Sequence, residues 1–325
     1  MERIACVGAG RMGRGIALAF AYAGMPVALI DLKPRSADAW ARLAAEASAE
    51  IHGSLQLLAQ LGAVPADAVA RIAARITLVP DAEADAVLAA ATVIFEGVPE
   101  TLQAKREVLA RVCKAAAPDA IIASTTSTIL VTDLLPLVTQ AERLINAHWL
   151  NPAYLVPLVE LSVHDGTSAA VRQRLGALLQ GIGKQTVTCG PAPGYIVPRL
   201  QALIMNEAAR MVEDGVATAE DIDKATRYGL GLRFAAMGVV EFIDFGGNDI
   251  LYHASRYLSR TLSAERYTAP AIVDTMMAEG RNGLKSGQGF YDYQGIDVAA
   301  YRLDVLRRTL GMLKHAGLFR PPVTD

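Results

Sequence analysis

Short apolar runs alternate with stretches of helical periodicity along the first part of this 325-residue chain. The apolar runs predict buried strands, and the amphipathic stretches between them predict helices. Elements that alternate in this order form a doubly wound, mostly parallel α/β sheet with helices on both faces. The predicted strands are RIACV, PVALID, RITLVP, ATVIFEGVP, AIIASTTS and two segments around Asn-Pro in NAHWLNPAYLVPLVELSV.

A longer helical pattern follows the second predicted strand. Residues 35–74 carry apolar positions at helical spacing, and the turn LGAVPAD divides them in two. We therefore expect a helical hairpin inserted into the sheet domain.

The pattern changes where two glycines and two prolines cluster within residues 188–194. Beyond this cluster, RLQALIMNEAARMVEDG, TAEDIDKATRYG and AERYTAPAIVDTMMAEG are all helical patterns. We expect two domains, an α/β domain at residues 1–190 and an all-helical domain at residues 191–325.

The composition narrows the class of partner. Hydrophobic residues make up 52% of the chain and charged residues 20%, which is typical of a globular protein with a sizeable core. Because 31 Lys plus Arg face 33 Asp plus Glu, no positive field favours nucleic acid or an anionic membrane. The expected partner is a small molecule or a second protein subunit.

The cysteines and the apolar runs indicate a compartment. Cys6, Cys113 and Cys189 form neither a disulfide framework nor a C-x-x-C metal pair. The first residues do not resemble a signal peptide, and no apolar run reaches the ~18 residues that a membrane span needs. We expect a soluble, cytoplasmic protein without a metal site.

A glycine-rich turn lies between the first predicted strand and helix. Gly8, Gly10 and Gly13 have the G-x-G-x-x-G spacing, with Arg11 and Met12 between the last two glycines. Such glycines permit a tight turn and let the backbone approach a pyrophosphate at the helix N-terminus. The context favours a Rossmann dinucleotide site over a turn that serves packing alone.

Asp31 closes the second predicted strand, 23 positions after Gly8. An acidic side chain at this place binds the adenosine ribose and repels a 2′-phosphate, which favours NAD over NADP. The alternative for Asp31 is a helix cap or loop acid, and the nearby Lys33 and Arg35 keep NADP open.

His148 and Glu160 are 12 positions apart in an otherwise apolar stretch, with Asn-Pro between them. Two strand-like arms around that turn would bring the side chains together. A carboxylate that binds one imidazole nitrogen leaves the other free to take a proton from a substrate hydroxyl. The alternative is a core histidine that is satisfied by a buried acid.

Six motifs in order resemble those of the L-3-hydroxyacyl-CoA dehydrogenase family, from about residue 3 to residue 293. They are VGAGRMGRGIA, GVPETLQAK, ASTTSTI, NAHWLNPAYLVPLVEL, PGYIV-RL with Pro198 at the gap, and GLKSGQGFYDY. The resemblance implies NAD as cofactor, a Rossmann domain with a helical hairpin, and a helical C-terminal domain that mediates homodimer contact. Catalysis would take place in the cleft between the domains.

The resemblance also implies roles for individual residues. It makes His148 the general base and Glu160 its orienting acid, Ser127 and Asn151 the holders of substrate oxygens, and Glu100 and Lys105 residues on the nicotinamide side.

Three of these residues have simpler alternatives. Ser127 could be a helix-cap hydroxyl, because the helical segment VTDLLPLV follows it. Asn151 could serve only its Asn-Pro turn. A lysine in an amphipathic helix, such as Lys105, is usually a solvated surface residue.

Three departures from the family pattern bear on the substrate. Residues 47–70 of the hairpin contain no lysine or arginine to bind the phosphates of coenzyme A. Pro198 replaces an asparagine of the family, and GLRFAAMG replaces the motif HPMGP of members that act on CoA esters. Arg233 in GLRFAAMG could bind a substrate carboxylate, or form an ordinary salt bridge at a helix end.

The leading hypothesis is an NAD-dependent dehydrogenase of a short L-3-hydroxyacyl-CoA such as 3-hydroxybutyryl-CoA. The first alternative is the same oxidation of a free 3-hydroxy acid, such as L-gulonate, carnitine or 3-hydroxybutyrate. A dehydrogenase of the 3-hydroxyisobutyrate or 6-phosphogluconate type would use a lysine instead of the His148 imidazole. A non-catalytic, crystallin-like nucleotide-binding protein is the remaining alternative.

Overall fold

Eight strands form a single sheet in the computed structural model, which describes residues 2–324. The strand order is β3-β2-β1-β4-β5-β6-β7-β8, and every neighbouring pair is parallel except β6 and β7. The predicted doubly wound, mostly parallel sheet is confirmed. The strands are β1 Ile4–Val7, β2 Val27–Ile30, β3 Ile76–Val79, β4 Val93–Glu96, β5 Ile121–Ser124, β6 Leu144–Trp149, β7 Leu158–Ser162 and β8 Gln185–Cys189.

The central strands are buried on both faces, which explains why they are continuous apolar runs in the sequence. Successive side chains of a strand point to opposite faces. In β1, Ile4 and Cys6 accordingly join one hydrophobic core, whereas Ala5 and Val7 join the other. Helices cover both cores.

The helices of the sheet unit pack on its two faces. Phe20 and Leu55 belong to the core on one face, and Leu88 and Leu109 to the core on the other. The expected hairpin consists of a long helix, Ala37–Gln60, and a short returning segment. That segment is a 3₁₀ turn at Ala66–Ala68 followed by the helix Val69–Ala73. The helices are α1 Arg11–Tyr22, α2 Ala37–Gln60, α3 Val69–Ala73, α4 Ala84–Ala90, α5 Leu102–Ala115, α6 Val131–Leu134 and α7 Ala169–Gly181.

The remainder of the chain is helical, as expected. The chain divides into two compact units, and the division falls between Ile204 and Met205, within the helix Val197–Glu213. The proposed domain limit at residue 190 stays a prediction. The helices are α8 Val197–Glu213, α9 Ala219–Lys224, α10 Leu232–Ala236, α11 Val239–Gly246, α12 Asn248–Thr261, α13 Ala264–Tyr267, α14 Ala271–Ala278 and α15 Val298–His315, with a π-helical segment at Ala225–Gly231.

A buried carboxylate organises the turn-rich motif GLKSGQGFYDY of the second unit. Asp244, on α11, accepts hydrogen bonds from the backbone N–H groups of Phe290 at 3.0 Å and Tyr291 at 2.8 Å. Gly289 lies so close that an added Cβ would be 2.2 Å from the Asp244 carboxylate. The glycine is therefore required for this packing.

Among residues 2–324, no helix is both long enough and apolar enough to cross a bilayer.

Candidate active site

The glycine turn after β1 is shaped by close backbone packing. Gly8 has a φ of 104°, and a Cβ added to Gly13 would be 1.9 Å from the Gly8 carbonyl oxygen. A Cβ on Gly10, by contrast, would meet no atom within 4 Å. Because α1 begins at Arg11, this open space lies at a helix N-terminus, which favours an anion such as a pyrophosphate.

A cavity of about 720 Å³ extends from this turn to the end of β2. It lies next to the boundary between β1 and β4, where the strand order of the sheet reverses. Open α/β sheets bind nucleotides at such a point. The lining includes Gly8, Gly10, Arg11, Met12, Asp31 and Val98, whereas Gly13 packs behind the turn. These residues fit a dinucleotide.

Asp31 lies at the end of the cavity next to β2 and is almost fully buried. Its carboxylate accepts a hydrogen bond from Nε of Arg35, which also lines the cavity. Lys33 lines the cavity too. The acid that would bind a ribose is therefore held in place by a neighbouring guanidinium.

A buried ionic cluster lies behind the glycine turn. Nζ of Lys105 is 3.0 Å from both carboxylate oxygens of Glu96, and neither side chain is exposed to solvent. Ser124 donates its hydroxyl to Glu96 at 2.6 Å, and Glu96 also accepts the N–H of Val98 at 3.0 Å. Lys105 is thus not a solvated surface lysine. Neither Glu96 nor Ser124 was predicted as a site residue, although an acid inside the apolar run VIFEG was a signal.

Glu100 organises the turn after β5. One of its carboxylate oxygens accepts the N–H of Ser127 at 2.8 Å and that of Thr128 at 3.0 Å, besides the Thr126 hydroxyl. Burial alone would raise the pKa of Glu100, but these hydrogen bonds and the charge of Lys105 outweigh it and lower the pKa. The Ser127 side chain is exposed on this turn.

His148 and Glu160 face each other across the antiparallel pair of β6 and β7. Nδ1 of His148 is 2.8 Å from Oε2 of Glu160, and Glu160 has no exposed surface. Oε1 of Glu160 accepts the N–H groups of Ile196 at 3.0 Å and Val197 at 2.8 Å, at the start of α8. The carboxylate is therefore fixed from both sides, and it in turn holds the imidazole.

Tyr195 completes this environment and was not identified from the sequence. Its ring is stacked on the His148 imidazole, with 4.8 Å between centroids and 15° between planes. The Tyr195 hydroxyl donates to the carbonyl of Thr126 at 2.7 Å and accepts from the Asn146 amide at 3.1 Å. The only sign of a special role in the sequence is that Tyr195 is an aromatic residue among glycines and prolines. Nothing in the sequence indicates that it contacts His148 on β6.

The loop between β6 and β7 carries Asn151 in an exposed position, followed by a cis bond to Pro152. Nζ of the buried Lys184 donates to the carbonyls of Ala153 and Val156, both at 2.7 Å. A single lysine thus fastens the loop from inside the unit.

A second cavity, of about 220 Å³, lies beside this loop and against α1 and α2. Asn151, Arg11 and Arg14 are among its lining residues. The Arg14 guanidinium is 2.9 Å from Glu46 and also binds Glu50, so its charge is neutralised within the protein. The hairpin therefore presents two acids to this region, in addition to lacking cations over residues 47–70.

The remaining candidate lies in the second unit. Arg233 is exposed on α10, directly after the π-helical segment, and such segments are frequent at functional sites. Its Nε donates to the Gly229 carbonyl at 2.6 Å, and its guanidinium lies 4.9 Å from the Phe242 ring centre. Arg233 makes no salt bridge with any described residue. Pro198 occupies the first turn of α8, where a proline needs no distortion.

Two family models together match most of the chain. Residues 3–192 match the 3-hydroxyacyl-CoA dehydrogenase NAD-binding domain, and residues 194–293 match the C-terminal domain of the same family. The chain is 32% identical to the 3-hydroxyadipyl-CoA dehydrogenase of Escherichia coli over 97% of its own length, and spans 64% of that longer relative.

Two further relatives match along nearly their whole length. The chain is 29% identical to the 5-formyl-3-hydroxy-2-methylpyridine 4-carboxylate 5-dehydrogenase of Mesorhizobium japonicum, over 96% of the chain and 97% of the relative. A solved 3-hydroxyacyl-CoA dehydrogenase of Archaeoglobus fulgidus is 28% identical and superposes with a TM-score of 0.75, covering 98% of the chain and 100% of that structure.

Proposed function

The chain belongs to the 3-hydroxyacyl-CoA dehydrogenase family of NAD-dependent oxidoreductases, and from this premise we propose that it oxidises the L-3-hydroxyl of a 3-hydroxyacyl compound to a 3-oxo group. The observation that carries the proposal is the hydrogen bond between His148 and the fully buried Glu160. NAD, when bound, accepts the hydride that leaves the substrate carbon.

In this mechanism His148 acts as the general base. Glu160 accepts the proton on Nδ1, which selects the tautomer with an unprotonated Nε2. Nε2 then takes the hydroxyl proton of the substrate, and the carboxylate stabilises the imidazolium that results. Since two backbone N–H groups hold the other carboxylate oxygen, the pair needs little rearrangement during the reaction.

Ser127 and Asn151 are proposed to hold the substrate oxygens. Ser127 follows β5 and Asn151 follows β6, and these neighbouring strands are parallel. The two polar side chains consequently lie at the same edge of the sheet, where α/β proteins bind their ligands. Glu100 is proposed to position the Ser127 turn, and Lys105 to keep Glu96 neutralised behind the nicotinamide side.

The primary substrate class is a short CoA thioester, with a free 3-hydroxy acid as the alternative. The E. coli relative is named for a CoA ester, whereas the M. japonicum relative is named for a carboxylate. The alternative rests on the hairpin, because Glu46 and Glu50 neutralise Arg14 and residues 47–70 supply no cation for the phosphates of coenzyme A. It also rests on Arg233, which has no carboxylate partner among residues 2–324.

The decisive experiment measures NADH formation with 3-hydroxybutyryl-CoA and with free 3-hydroxybutyrate, gulonate and carnitine. A higher kcat/KM for the thioester supports the primary assignment, and a higher value for an acid supports the alternative. Under the alternative, Arg233→Ala raises KM for the acid and leaves KM for the thioester unchanged. No NADH formation with either class, by protein that binds NAD, contradicts the proposed reaction.

The base assignment is tested separately by His148→Ala. This change removes general-base help worth roughly a hundredfold or more in turnover, while NADH binding stays intact. Turnover close to that of the unaltered protein would contradict the mechanism.

We also propose a homodimer in the cytoplasm, formed through the predicted helical domain at residues 191–325, which includes α8. Leu200, Leu203, Ile204 and Val212 of α8 are exposed, and the three cysteines are free thiols. A second copy that covers α8 would remove this apolar surface from water. Light scattering should report a dimer for the unaltered protein and a monomer for Leu203→Glu, and a monomeric unaltered protein would contradict this assembly.

A further inference from the structure

The phenol ring of Tyr195 covers one face of the His148 imidazole. The planes are inclined by 15° with 4.8 Å between the centroids. Both residues are only 6% exposed, so the ring excludes water from that face of the imidazole. An aromatic face at this distance attracts a cation, and the imidazole becomes a cation when it accepts a proton.

The hydroxyl of Tyr195 ties the stacked ring to the turn after β5. It donates to the carbonyl of Thr126, the residue before Ser127, at 2.7 Å. Burial raises the pKa of the Tyr195 phenol, which therefore remains a donor. Its acceptor side is used by Asn146, whose amide also donates to the carbonyl of Ile129 at 3.0 Å.

The backbone around Tyr195 is fixed as well. Tyr195 has a φ of 46°, in the left-handed region that residues other than glycine seldom adopt. The next two N–H groups, of Ile196 and Val197, donate to Glu160. The same short segment thus contacts the imidazole with a side chain and the orienting carboxylate with its backbone.

We propose that Tyr195 is a positioning residue for the base: its ring holds the imidazole and stabilises the imidazolium, and its hydroxyl keeps the Ser127 turn in register with His148. This inference rests on the proposed role of His148. The titratable groups around the stack are Glu160, Glu100 and the Cys189 thiol, which the test leaves unchanged.

Two variants separate the ring from the hydroxyl. Tyr195→Leu removes both, so the imidazolium loses its aromatic contact and the acid limb of the kcat/KM profile moves to lower pH by roughly 0.5 to 1.5 units. Tyr195→Phe keeps the ring and leaves the acid limb in place. It loses the bond to Thr126, and KM for the hydroxy substrate rises roughly two- to tenfold with NAD affinity unchanged.

The control is Tyr257→Leu, the same exchange at an exposed tyrosine of α12, which leaves the profile unchanged. An acid limb that stays in place in folded Tyr195→Leu overturns the proposal, as does an unchanged KM in Tyr195→Phe. If Tyr195→Leu does not fold, the Tyr195→Phe result decides. Failure of the base assignment is distinguishable, because His148→Ala would then retain turnover whatever the Tyr195 variants do.

Discussion

Glu160→Gln is the most informative single change, because it keeps the shape of the side chain and alters only its hydrogen-bonding capacity. One carboxylate oxygen accepts two backbone N–H groups, and the other accepts from Nδ1 of His148. An amide has only one oxygen. If that oxygen stays with the backbone donors, the amide nitrogen faces His148 and Nδ1 must become an acceptor. The proton then moves to Nε2, and the base is lost.

The opposite orientation of the amide is the more costly one. It would place the NH₂ group against two backbone donors that have no other partner, at about 1–3 kcal/mol for each unsatisfied group. The inactive tautomer should therefore predominate. The equivalent carboxylate-to-amide change in serine proteases lowers turnover by about 10⁴. We expect a loss of kcat of roughly 10³ to 10⁴, or about 4 to 5.5 kcal/mol of transition-state stabilisation.

The assay is NADH formation at saturating NAD, with whichever thioester or free acid gives the higher kcat/KM in the comparison proposed above. NAD affinity, measured by fluorescence titration, should change little, because the cofactor cavity does not include Glu160. A cooperative thermal transition shows that the variant is folded. Glu83→Gln, at an exposed acid in the 3₁₀ turn Asp81–Glu83, serves as the control and keeps full activity. A loss of kcat below tenfold in folded Glu160→Gln would refute the tautomer argument.

Three further predictions concern the cofactor and stability. Asp31→Ala should weaken NAD binding and reduce the preference for NAD over NADP in paired kinetic assays; an unchanged preference would show that Asp31 does not face the ribose. Lys105→Met leaves the carboxylate of Glu96 buried and unpaired, and should lower the free energy of unfolding in urea by about 3–5 kcal/mol, with partial recovery in the double variant with Glu96→Gln. The hydrogen bond and charge of Arg174 lower the pKa of Glu2 to about 2. The pair therefore contributes stability above 4.5, the ordinary pKa of a glutamate in the unfolded chain, and this stability is lost as the pH falls toward 2. The thermal midpoint of Glu2→Gln, measured across this pH range, should not show this loss. Midpoints that fall with pH equally in the variant and in the unaltered protein would contradict the prediction.

The order of strands and helices could be predicted because buried elements have recognisable patterns of apolar residues in the local sequence. The strands β1, β4 and β5 are enclosed on both faces and read as uninterrupted apolar runs. The pairing of His148 with Glu160 was also predictable, since Asn-Pro interrupts two apolar arms and so indicates a turn between them. Register places the two side chains directly opposite each other.

Other parts of the site depend on contacts between distant segments. Lys105 has the sequence context of a surface lysine, and only its pairing with Glu96 on another element allows it to be buried. Tyr195 reaches His148 because the segment before α8 passes over β6, a path that no local pattern records. The paired state of Arg14 likewise depends on acids of the hairpin, which are distant in the sequence.

Lys184 has a consequence for the conditions in which the protein can work. Its ammonium carries three N–H donors, and the carbonyls of Ala153 and Val156 use two of them. Burial lowers the pKa of this lysine, but the neutral amine still has two N–H donors. Deprotonation would therefore weaken these two hydrogen bonds without breaking them, and would remove the cation from the Trp149 ring, 5.6 Å away. Alcohol oxidation by NAD releases a proton and is favoured in alkaline solution, and the loop that carries Asn151 is fastened by bonds that tolerate alkalinity.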